Sequence, residues 1–520
     1  MTAFLGHIAA GLQLVGQPEA LITIVLAALY GLFIGAIPGL TATMATALLV
    51  PVAFFLDPLP AIAAIVTMEA IAIFAGDIPA FLVRVPGTPS SAAYVDDAYG
   101  LTVQGRAGLG LGTAIMVSLL GGLFGTAVLM VASPILAEFA LQFTPLEYFW
   151  LGVLGLTSSV AIAATSPAKN LLALLLGLLL STVGLDIVFG YPRFTFGSTD
   201  LLAGVNFIPA MIGLFGIAEV LRNVAAGELQ LSVGEPPRRI LRGVGSMVRR
   251  HWRGVGRSSV IGTLIGALPG AGADIAAWIA YGVARRTSRQ PETFGKGNIE
   301  AIANCSAANN AALGGAWVPA LVFGIPGDSI TAIAIGILLM KGLRPGPDIF
   351  TYQADMLYGV YWTFLLANLL LLPLGLLAVR TFGLMLSVPR NILLPAILLF
   401  CIVGSFAVNN SLFDVGVMLV MGVLGYLMGL AGIPAAPVVL GIVLGPIVEQ
   451  NFMMSMIRYR WNLLAFFSRP VAAILGVLSI ALWLYPVVRW WLEVRASYRE
   501  QDRQVPHARV KQPKVRVKER

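Results

Sequence analysis

Long apolar segments alternate with short polar ones along almost the whole chain. Many of them approach or exceed the roughly 20 residues that a helix needs to cross a hydrocarbon core about 30 Å thick. Counting the segments as helices predicts about twelve membrane crossings. The segments cover residues 20–56, 58–75, 108–133, 147–164, 168–189, 203–226, 258–283, 305–341, 356–379, 391–408, 412–431, 433–448 and 470–492.

The composition favours a membrane protein over a soluble one. Hydrophobic residues make up 58% of the chain and charged residues only 11%, whereas soluble domains have about 25% charged residues. A bilayer can cover this much apolar side chain, and a soluble core cannot. We therefore predict an all-α polytopic membrane protein in contact with membrane lipid.

Positive charge is concentrated in three places: residues 238–257, residues 285–296 and the tail after residue 495. Basic tails can bind nucleic acid, but beside membrane helices such clusters mark the cytoplasmic face. We expect no nucleic-acid partner. The predicted division is a first membrane repeat at 1–234, a basic cytoplasmic connector at 235–257, a second membrane repeat at 258–492 and a basic cytoplasmic tail at 493–520.

The two halves of the chain resemble each other. Residues 31–39 (GLFIGAIPG) match residues 262–270 (GTLIGALPG), 231 positions later. Residues 79–87 match residues 319–327, 240 positions later. Generic membrane sequence rich in Gly and Pro is the alternative explanation, but two matches in the same order favour an internal repeat. We interpret it as an inverted repeat of the kind found in secondary transporters.

Each matching segment contains a Pro-Gly pair within an apolar region. Proline removes a backbone donor and clashes with the preceding turn, and glycine adopts angles that a helix does not. The freed backbone groups cannot face lipid, and breaks at corresponding places in two repeats indicate a transporter binding site. The pairs are Pro38-Gly39, Pro86-Gly87, Pro269-Gly270 and Pro326-Gly327.

The broken segment 258–283 lies between two basic clusters, with Arg257 before it and Arg285 after it. If both clusters are cytoplasmic, the segment enters and leaves on one side, and each arm is too short to span the membrane. This pattern predicts a re-entrant hairpin that carries Asp274 just past its tip. The repeat predicts an equivalent hairpin at 21–56.

Polar groups near the breaks suit an anion. Hydroxyls and the N–H groups of helix N-termini attract carboxylates, and adjacent asparagines in an apolar run can donate and accept. Ordinary helix packing is the alternative for the Ser and Thr residues. The candidate substrate-binding residues are Pro38, Gly39, Leu40, Thr41, Thr43, Gly87, Thr88, Pro89, Ser90, Ser91, Gly270, Ala271, Gly272, Asn309, Asn310, Gly327, Asp328 and Ser329.

Charged residues near the breaks are candidates for ion coupling, because charge within a membrane is costly and usually functional. Asp77, Asp274 and Glu69 could hold Na⁺ or carry a proton. Arg84 could pair with Asp77 or attract an anionic substrate. Interfacial loop positions are the alternative for these residues. We expect no cofactor and no metal other than Na⁺.

A set of motifs, taken in order along the chain, resembles the large membrane subunit of the tripartite tricarboxylate transporters. The resemblance covers about residues 20–470. The motifs lie at residues 35–40, 85–92, 105–108, 145–148, 183–186, 193–197, 212–215, 219–221, 267–273, 294–297, 308–311, 324–327, 342–347 and 444–446, near Glu449.

The resemblance implies ion-coupled uptake of a di- or tricarboxylate, or a related organic acid, across the bacterial inner membrane. It implies Na⁺ or H⁺ as the coupling ion, a small four-helix membrane subunit and a periplasmic solute-binding protein as partners, and it leaves a homo-oligomer open. A passive anion channel and a membrane-embedded enzyme are the alternatives. We predict that the chain is not an enzyme, because no histidine or lysine accompanies Ser90, Ser91 or Ser306.

Two places depart from the pattern of this family. Pro-Glu usually precedes the Ala-Asn-Asn stretch, where this chain has Cys305 and Ser306. A small hydroxyl residue is usual where this chain has Asp77. We hypothesise that the charge has moved across the site, which puts citrate as the substrate in doubt.

Overall fold

The computed structural model describes residues 2–161, 166–226, 237, 239–386 and 389–484. Within these residues the protein is helical, apart from one short antiparallel pair, β1 (Gly184–Leu185) and β2 (Pro192–Arg193). The predicted tail at 493–520 and Arg238 of the basic connector lie outside the described residues.

In the first half, a π-helical stretch at Ile212–Ile217 joins the last two helices, and short 3₁₀ segments occur at Ser91–Ala93 and Asp200–Ala203. The α-helices are α1 (Thr2–Val15), α2 (Pro18–Ala36), α3 (Ala42–Phe55), α4 (Pro58–Ala75), α5 (Asp77–Leu82), α6 (Val95–Val103), α7 (Ala107–Ala140), α8 (Pro145–Ala161), α9 (Pro167–Ser181), α10 (Phe207–Met211) and α11 (Ala218–Ala226).

In the second half, 3₁₀ segments lie at Pro291–Thr293 and Leu463–Phe467. The α-helices are α12 (Val244–Gly266), α13 (Gly272–Thr287), α14 (Ile299–Phe323), α15 (Ser329–Met340), α16 (Ile349–Tyr352), α17 (Ala354–Leu386), α18 (Arg390–Asn409), α19 (Leu412–Leu430), α20 (Ala436–Arg458) and α21 (Pro470–Leu484).

Eight helical stretches of the described chain are long and apolar enough to cross a membrane, and five further apolar helices are shorter. The protein is thus an all-helical, multi-pass membrane protein, as predicted. The number of about twelve crossings stays a prediction. The long stretches are Pro18–Ala36, Pro58–Leu82, Ala107–Ala140, Phe207–Ala226, Ala354–Leu386, Asn391–Asn409, Leu412–Leu430 and Ala436–Arg458.

Proline alone does not end these helices, whereas the Pro-Gly pairs do. Pro51, Pro134 and Pro373 lie inside α3, α7 and α17. All four Pro-Gly pairs lie in non-helical segments, as predicted. Gly39 and Gly270 have φ of 91° and 80°, a left-handed conformation that other residues adopt only at a cost.

The helix contacts of the first half recur in the second. Glycines of α2 touch the backbone of α4, and glycines of α12 touch the backbone of α14, so closely that a Cβ would overlap a carbonyl oxygen. The contacts are Gly31 with Met68, Gly35 with Ala72, Gly262 with Ala308 and Gly266 with Ala312. They follow the same shifts of 231 and 240 positions as the sequence repeat, so the two halves pack these helices alike. The opposite orientation of the halves stays a prediction.

Helices α4 and α14 form the centre of the molecule and are buried along almost their whole length. Helix α4 packs against α2, α3 and α17, and α14 packs against α12, α13 and α7. Since α17 belongs to the second half and α7 to the first, each half contributes a helix that packs against the central helix of the other. This exchange brings the breaks of both halves close together.

The broken segments differ in length from the predicted hairpins. Helix α2 has 19 residues and is long enough to cross a membrane. Helix α12 has 23 residues, because it begins at Val244, inside the predicted connector, and continues through the basic residues into the apolar arm. The predicted short first arm is therefore wrong for the segment 21–56, whereas α12 is not among the stretches of the described chain that are long and apolar enough to cross a membrane. Re-entry into the membrane stays a prediction for both segments.

Candidate functional site

A cavity of about 370 Å³ lies where the four breaks meet. Both halves contribute to its wall, together with α11, α19 and the start of α20. The lining residues are Thr41, Ala42, Thr43, Ile73, Thr88, Pro89, Leu214, Phe215, Glu219, Arg222, Gly270, Ala271, Gly272, Ala273, Asp274, Asp328, Ser329, Ile330, Gly425, Gly429, Ile433, Pro434, Ala435, Ala436 and Leu440.

Many of these positions are equivalent in the repeat. The same two turns of each half face the cavity, but the first half presents hydroxyls where the second presents carboxylates. The equivalent pairs are Thr41 with Gly272, Ala42 with Ala273, Thr43 with Asp274, Thr88 with Asp328 and Pro89 with Ser329.

The turn after each central helix closes in the same reciprocal hydrogen-bond pattern. Thr88 N donates to Ser91 Oγ at 3.2 Å, and Ser91 N donates to Thr88 Oγ1 at 3.3 Å. Asp328 N donates to Thr331 Oγ1 at 2.9 Å, and Thr331 N donates to Asp328 Oδ1 at 2.8 Å. Asp328 and Thr331 form a capping box, which satisfies otherwise unpaired backbone donors at the start of α15. Thr88 and Ser91 make the same reciprocal pair of bonds in a turn at the start of the short 3₁₀ segment Ser91–Ala93. Ser91 therefore serves the turn, as its hydroxyl also donates to Thr88 O.

Other predicted residues connect the breaks to each other without lining the cavity. Ser90 N donates to Asp274 Oδ1 at 3.1 Å. Gly270 N donates to Gly327 O at 2.7 Å. The predicted substrate-binding residues that do not line the cavity are Pro38, Gly39, Leu40, Gly87, Ser90, Ser91, Asn309, Asn310 and Gly327.

Two charged lining residues were missed by the sequence analysis. Arg222 is the one Lys or Arg among the residues that line the cavity. Its Nη1 donates to Glu219 Oε2 at 2.6 Å, and Asn223 Nδ2 donates to Glu219 Oε1 at 3.0 Å. The available signal was a pair of opposite charges at the end of the apolar stretch 203–226, where intramembrane charge is a functional candidate.

Glu69 is fully buried between the two central helices and does not line the cavity. Its Oε2 accepts a hydrogen bond from Trp317 Nε1 at 3.0 Å. Its Oε1 has no hydrogen-bond partner among the described residues. Glu69 and Asn309 are equivalent in the repeat, and the side-chain amide of Asn309 is likewise buried and unpartnered there.

Asp77 is also fully buried, at the junction of α4 and α5. The hydroxyl of Tyr94 donates to its Oδ1, and Ser306 Oγ donates to its Oδ2 at 3.1 Å. The predicted pairing of Asp77 with Arg84 is wrong, because Arg84 Nη2 pairs with Asp96 Oδ1 at 2.8 Å on the exposed side of the turn. With φ of 56°, Arg84 is on a sharp bend of the backbone.

The contact between Asp77 and Ser306 brings together the two places at which the sequence analysis expects a departure from the family pattern. The hypothesis that the charge has moved across the site stays a prediction.

A sequence model described as the tripartite tricarboxylate transporter TctA family matches residues 21–440. The chain belongs to the TctA family. This confirms the resemblance seen in the sequence motifs, and it identifies the chain as the membrane component of a family of transporters. The match covers most of both predicted repeats and all four breaks.

Two relatives of this TctA chain come from Agrobacterium vitis. An uncharacterized 52.8 kDa protein in the TAR-I ttuC' 3' region is 35% identical over 492 residues, which cover 94% of this chain and 98% of the relative. An uncharacterized protein in the TAR-II ttuC' 3' region is 37% identical over 231 residues, which cover 44% of this chain and 96% of the relative. No solved structure matches the chain.

Proposed function

We propose that this TctA protein is the substrate-translocating subunit of an ion-coupled uptake system for a di- or tricarboxylate or a related organic acid. The observation that carries this proposal is a cavity walled by the broken segments of both halves. Its volume of about 370 Å³ falls in the range of about 300–1,000 Å³ that small-molecule pockets occupy.

The substrate carboxylates bind, in this proposal, against the wall of the first half. Thr43 and Thr88 supply hydroxyl donors there, and the cavity meets the N-terminus of the 14-residue helix α3 just past Thr41. Helix N-termini favour anions. Arg222 adds a positive charge to the cavity, although Glu219 already engages one of its nitrogens.

The wall of the second half is acidic, and Asp274 and Asp328 would repel a carboxylate. Positive charge has to enter with the substrate to offset this repulsion. We therefore propose symport with Na⁺ or H⁺, with Asp274, Asp77 and Glu69 as the coupling candidates. In this scheme, Asp328 shapes the turn and sets the potential beside the substrate.

The proposal includes the partners and location that the family implies. A small four-helix membrane subunit accompanies the chain, and a periplasmic solute-binding protein delivers the substrate. The protein lies in the bacterial inner membrane with a cytoplasmic C-terminus. The basic residues of α12, which include Arg249, Arg250 and Arg253, support a cytoplasmic position for this end of the helix.

Uptake into proteoliposomes tests the proposal. The chain and its small subunit are reconstituted, radiolabelled di- and tricarboxylates are added with a cognate binding protein, and uptake is measured with a Na⁺ gradient, a pH gradient or no gradient. We expect accumulation above equilibrium only with a gradient. Equilibration without a gradient would indicate a passive channel, and chemical conversion of the label would indicate an enzyme.

A pair of variants ties uptake to the cavity. Arg222→Gln removes the positive charge of the wall and should weaken carboxylate uptake at least about tenfold, because a lost charge-assisted hydrogen bond costs about 1.5–3 kcal/mol. Thr113→Val is the matched control, since Thr113 lies on α7 and its hydroxyl bonds only within that helix. Unchanged uptake by Arg222→Gln would place substrate binding elsewhere.

A further inference from the structure

A closed polar cluster lies between the α4–α5 junction and α14, outside the cavity. It consists of Asp77, Tyr94, Ser306, Asn309 and Asn310, each at most 1% exposed. None of these residues lines the cavity. A carboxylate and two amides buried together within the helix core need a physical explanation, because buried polar groups are costly unless they are satisfied.

The cluster is held together by direct contacts around the carboxylate. Ser306 Oγ donates to Asp77 Oδ2 at 3.1 Å, and the Tyr94 hydroxyl donates to Asp77 Oδ1. Asn310 Nδ2 donates to Ser306 O at 3.2 Å. Asn309 and Asn310 follow Ser306 by three and four residues on α14, so their side chains lie on the same side of the helix as Ser306.

Several polar atoms of the cluster have nothing to bind in the described part of the chain. Both side-chain atoms of Asn309 and the Oδ1 of Asn310 are buried without a hydrogen-bond partner there. Each such atom costs about 1–3 kcal/mol if it stays unpaired. Amide and carboxylate oxygens are typical ligands of a hard cation.

The negative charge of the Asp77 carboxylate would be balanced by one positive charge. Asp77 contributes one negative charge, and within the described residues its hydrogen bonds come from two hydroxyls, not from a Lys or Arg. The other titratable groups beside it are the Tyr94 hydroxyl and the buried Cys305 thiol, which are neutral near pH 7 at their ordinary pKa values. A single monovalent cation balances the site.

We propose that Asp77, Ser306, Asn309 and Asn310 form a binding site for one monovalent cation, either Na⁺ or a proton on the carboxylate. The proposal rests on the proposed ion-coupled function and selects one of its candidate acids. The backbone beside Asp77 is hydrogen-bonded to the turn that forms part of the cavity wall. Gly76, which precedes Asp77, accepts a hydrogen bond from Gly87 N at 3.1 Å, and the next residue, Thr88, lines the cavity.

Cation binding is measured on the purified full chain without substrate. The readouts are binding of radioactive Na⁺ and the midpoint of thermal unfolding in NaCl against choline chloride, each at acidic, neutral and alkaline pH. A sodium site predicts saturable binding of one ion and a raised midpoint, both lost in Asp77→Asn. A proton site predicts no sodium effect and a protonated carboxyl band in difference infrared spectra that Asp77→Asn removes.

Two milder variants keep the test valid if Asp77→Asn does not fold. Ser306→Ala and Asn310→Ala leave the carboxylate in place and should weaken Na⁺ binding about tenfold or shift the titration of the carboxyl band. The matched controls are Ser118→Ala on α7 and Asn368→Ala on α17, which are equally buried and also carry an unpartnered oxygen among the described residues. The controls should behave like the wild type.

The proposal is overturned if neither sodium binding nor a titrating carboxyl depends on Asp77, Ser306 or Asn310. It is equally overturned if the controls have the same effect as the site variants. Because these measurements use no substrate and no transport, their failure leaves carboxylate uptake untouched. A failure of uptake with an intact cation site would instead count against the proposed function.

Discussion

In the first half of the protein, Thr43 and Thr88 face the cavity, and at the equivalent positions in the second half Asp274 and Asp328 face it. In each half, the turn after the central helix is closed by a reciprocal pair of hydrogen bonds. Thr88 and Ser91 make this pair in the first half, and Asp328 and Thr331 make it in the second. A hydroxyl and a carboxylate therefore serve the same structural purpose while giving the two walls different charge.

Under the proposed function, this difference would let two equivalent turns bind two kinds of partner. The capping position tolerates Ser, Thr, Asp or Asn, because each can accept from a backbone N–H. The turn is thus free to change its charge without losing its shape. A neutral wall can accept a carboxylate, and an acidic wall can accept a cation, so the comparison can be tested by exchanging residues between the halves.

The largest effect is expected when the acid of the second half is placed in the first. Thr88→Asp should keep the cap but add a negative charge to the neutral wall. Like charges about 4 Å apart repel by about 4 kcal/mol at an effective dielectric constant of 20, so initial uptake of labelled carboxylate should fall by about three orders of magnitude. Asp328→Thr is the matched control for folding and should keep thermal unfolding close to the wild type. Wild-type uptake by Thr88→Asp would show that this wall does not face the substrate.

Gly39 and Gly270 are equivalent glycines of the first break in each half, and they should differ in their tolerance of a side chain. In Gly270→Ala the new Cβ would lie 2.6 Å from the Cα of Ser159, whereas in Gly39→Ala it would meet only the Asn223 side chain at 3.1 Å. In both variants the left-handed conformation should lower the free energy of unfolding by about 1–2 kcal/mol. In Gly270→Ala overpacking should lower it by about 1–3 kcal/mol more. Denaturant titration of the two purified variants measures the difference. Equal destabilisation would mean that the two tips are equally open.

Asp274, just after the Pro269-Gly270 break, should affect the ion dependence of uptake more than the affinity for the substrate. Asp274→Asn keeps an acceptor for Ser90 N but loses the charge, so we expect uptake to become less dependent on Na⁺ or pH. Its counterpart Thr43→Val should instead raise the KM for the carboxylate by about tenfold, the loss of one hydrogen bond of about 1 kcal/mol or slightly more. Uptake measured over carboxylate concentration at low and high Na⁺ and at two pH values separates the two outcomes. If both variants changed the KM and the ion dependence in the same way, the two walls would not have separate roles in binding the substrate and the ion.

The smallest effect concerns the start of α3. Thr41 Oγ1 accepts from Met44 N at 3.1 Å, and its counterpart in the second half is Gly272, which offers no side-chain cap. Thr41→Ala should lower the free energy of unfolding by about 1 kcal/mol, as expected for a lost N-cap. Thr41→Ser, which keeps the cap, should unfold like the wild type. A loss of uptake without a loss of stability in Thr41→Ala would show that the hydroxyl binds substrate as well.

Much of this site could be predicted because its shape follows from local backbone chemistry. Each of the four matched Pro-Gly pairs interrupts a helical region, and the sequence repeat places them at corresponding positions in the two halves. Thr41, Thr43, Thr88 and Asp274 were chosen for their distance in sequence from a break, and all four line the cavity. Arg222 was missed because it lies far in sequence from every break, at the end of a helix that only tertiary packing brings to the cavity.

Sequence distance also misled where packing decides the partner. Asp77 and Arg84 are close in the chain, yet Asp77 is directed into the core toward α14 and Arg84 outward to Asp96. The true partner of Asp77 on α14 is Ser306, more than two hundred residues away. Neither the apolar pattern nor the repeat specifies that contact.

The sequence by itself determined the helical, membrane-embedded character of the protein, the positions of its breaks and the likeness of its halves. These features depend on the length of apolar runs and on the backbone limits of proline and glycine, which act within a few residues. Only the tertiary structure decided which acids face the cavity and which are buried beside it. That outcome depends on how α4 and α14 pack against each other, and the packing is set by contacts between residues that lie hundreds of positions apart.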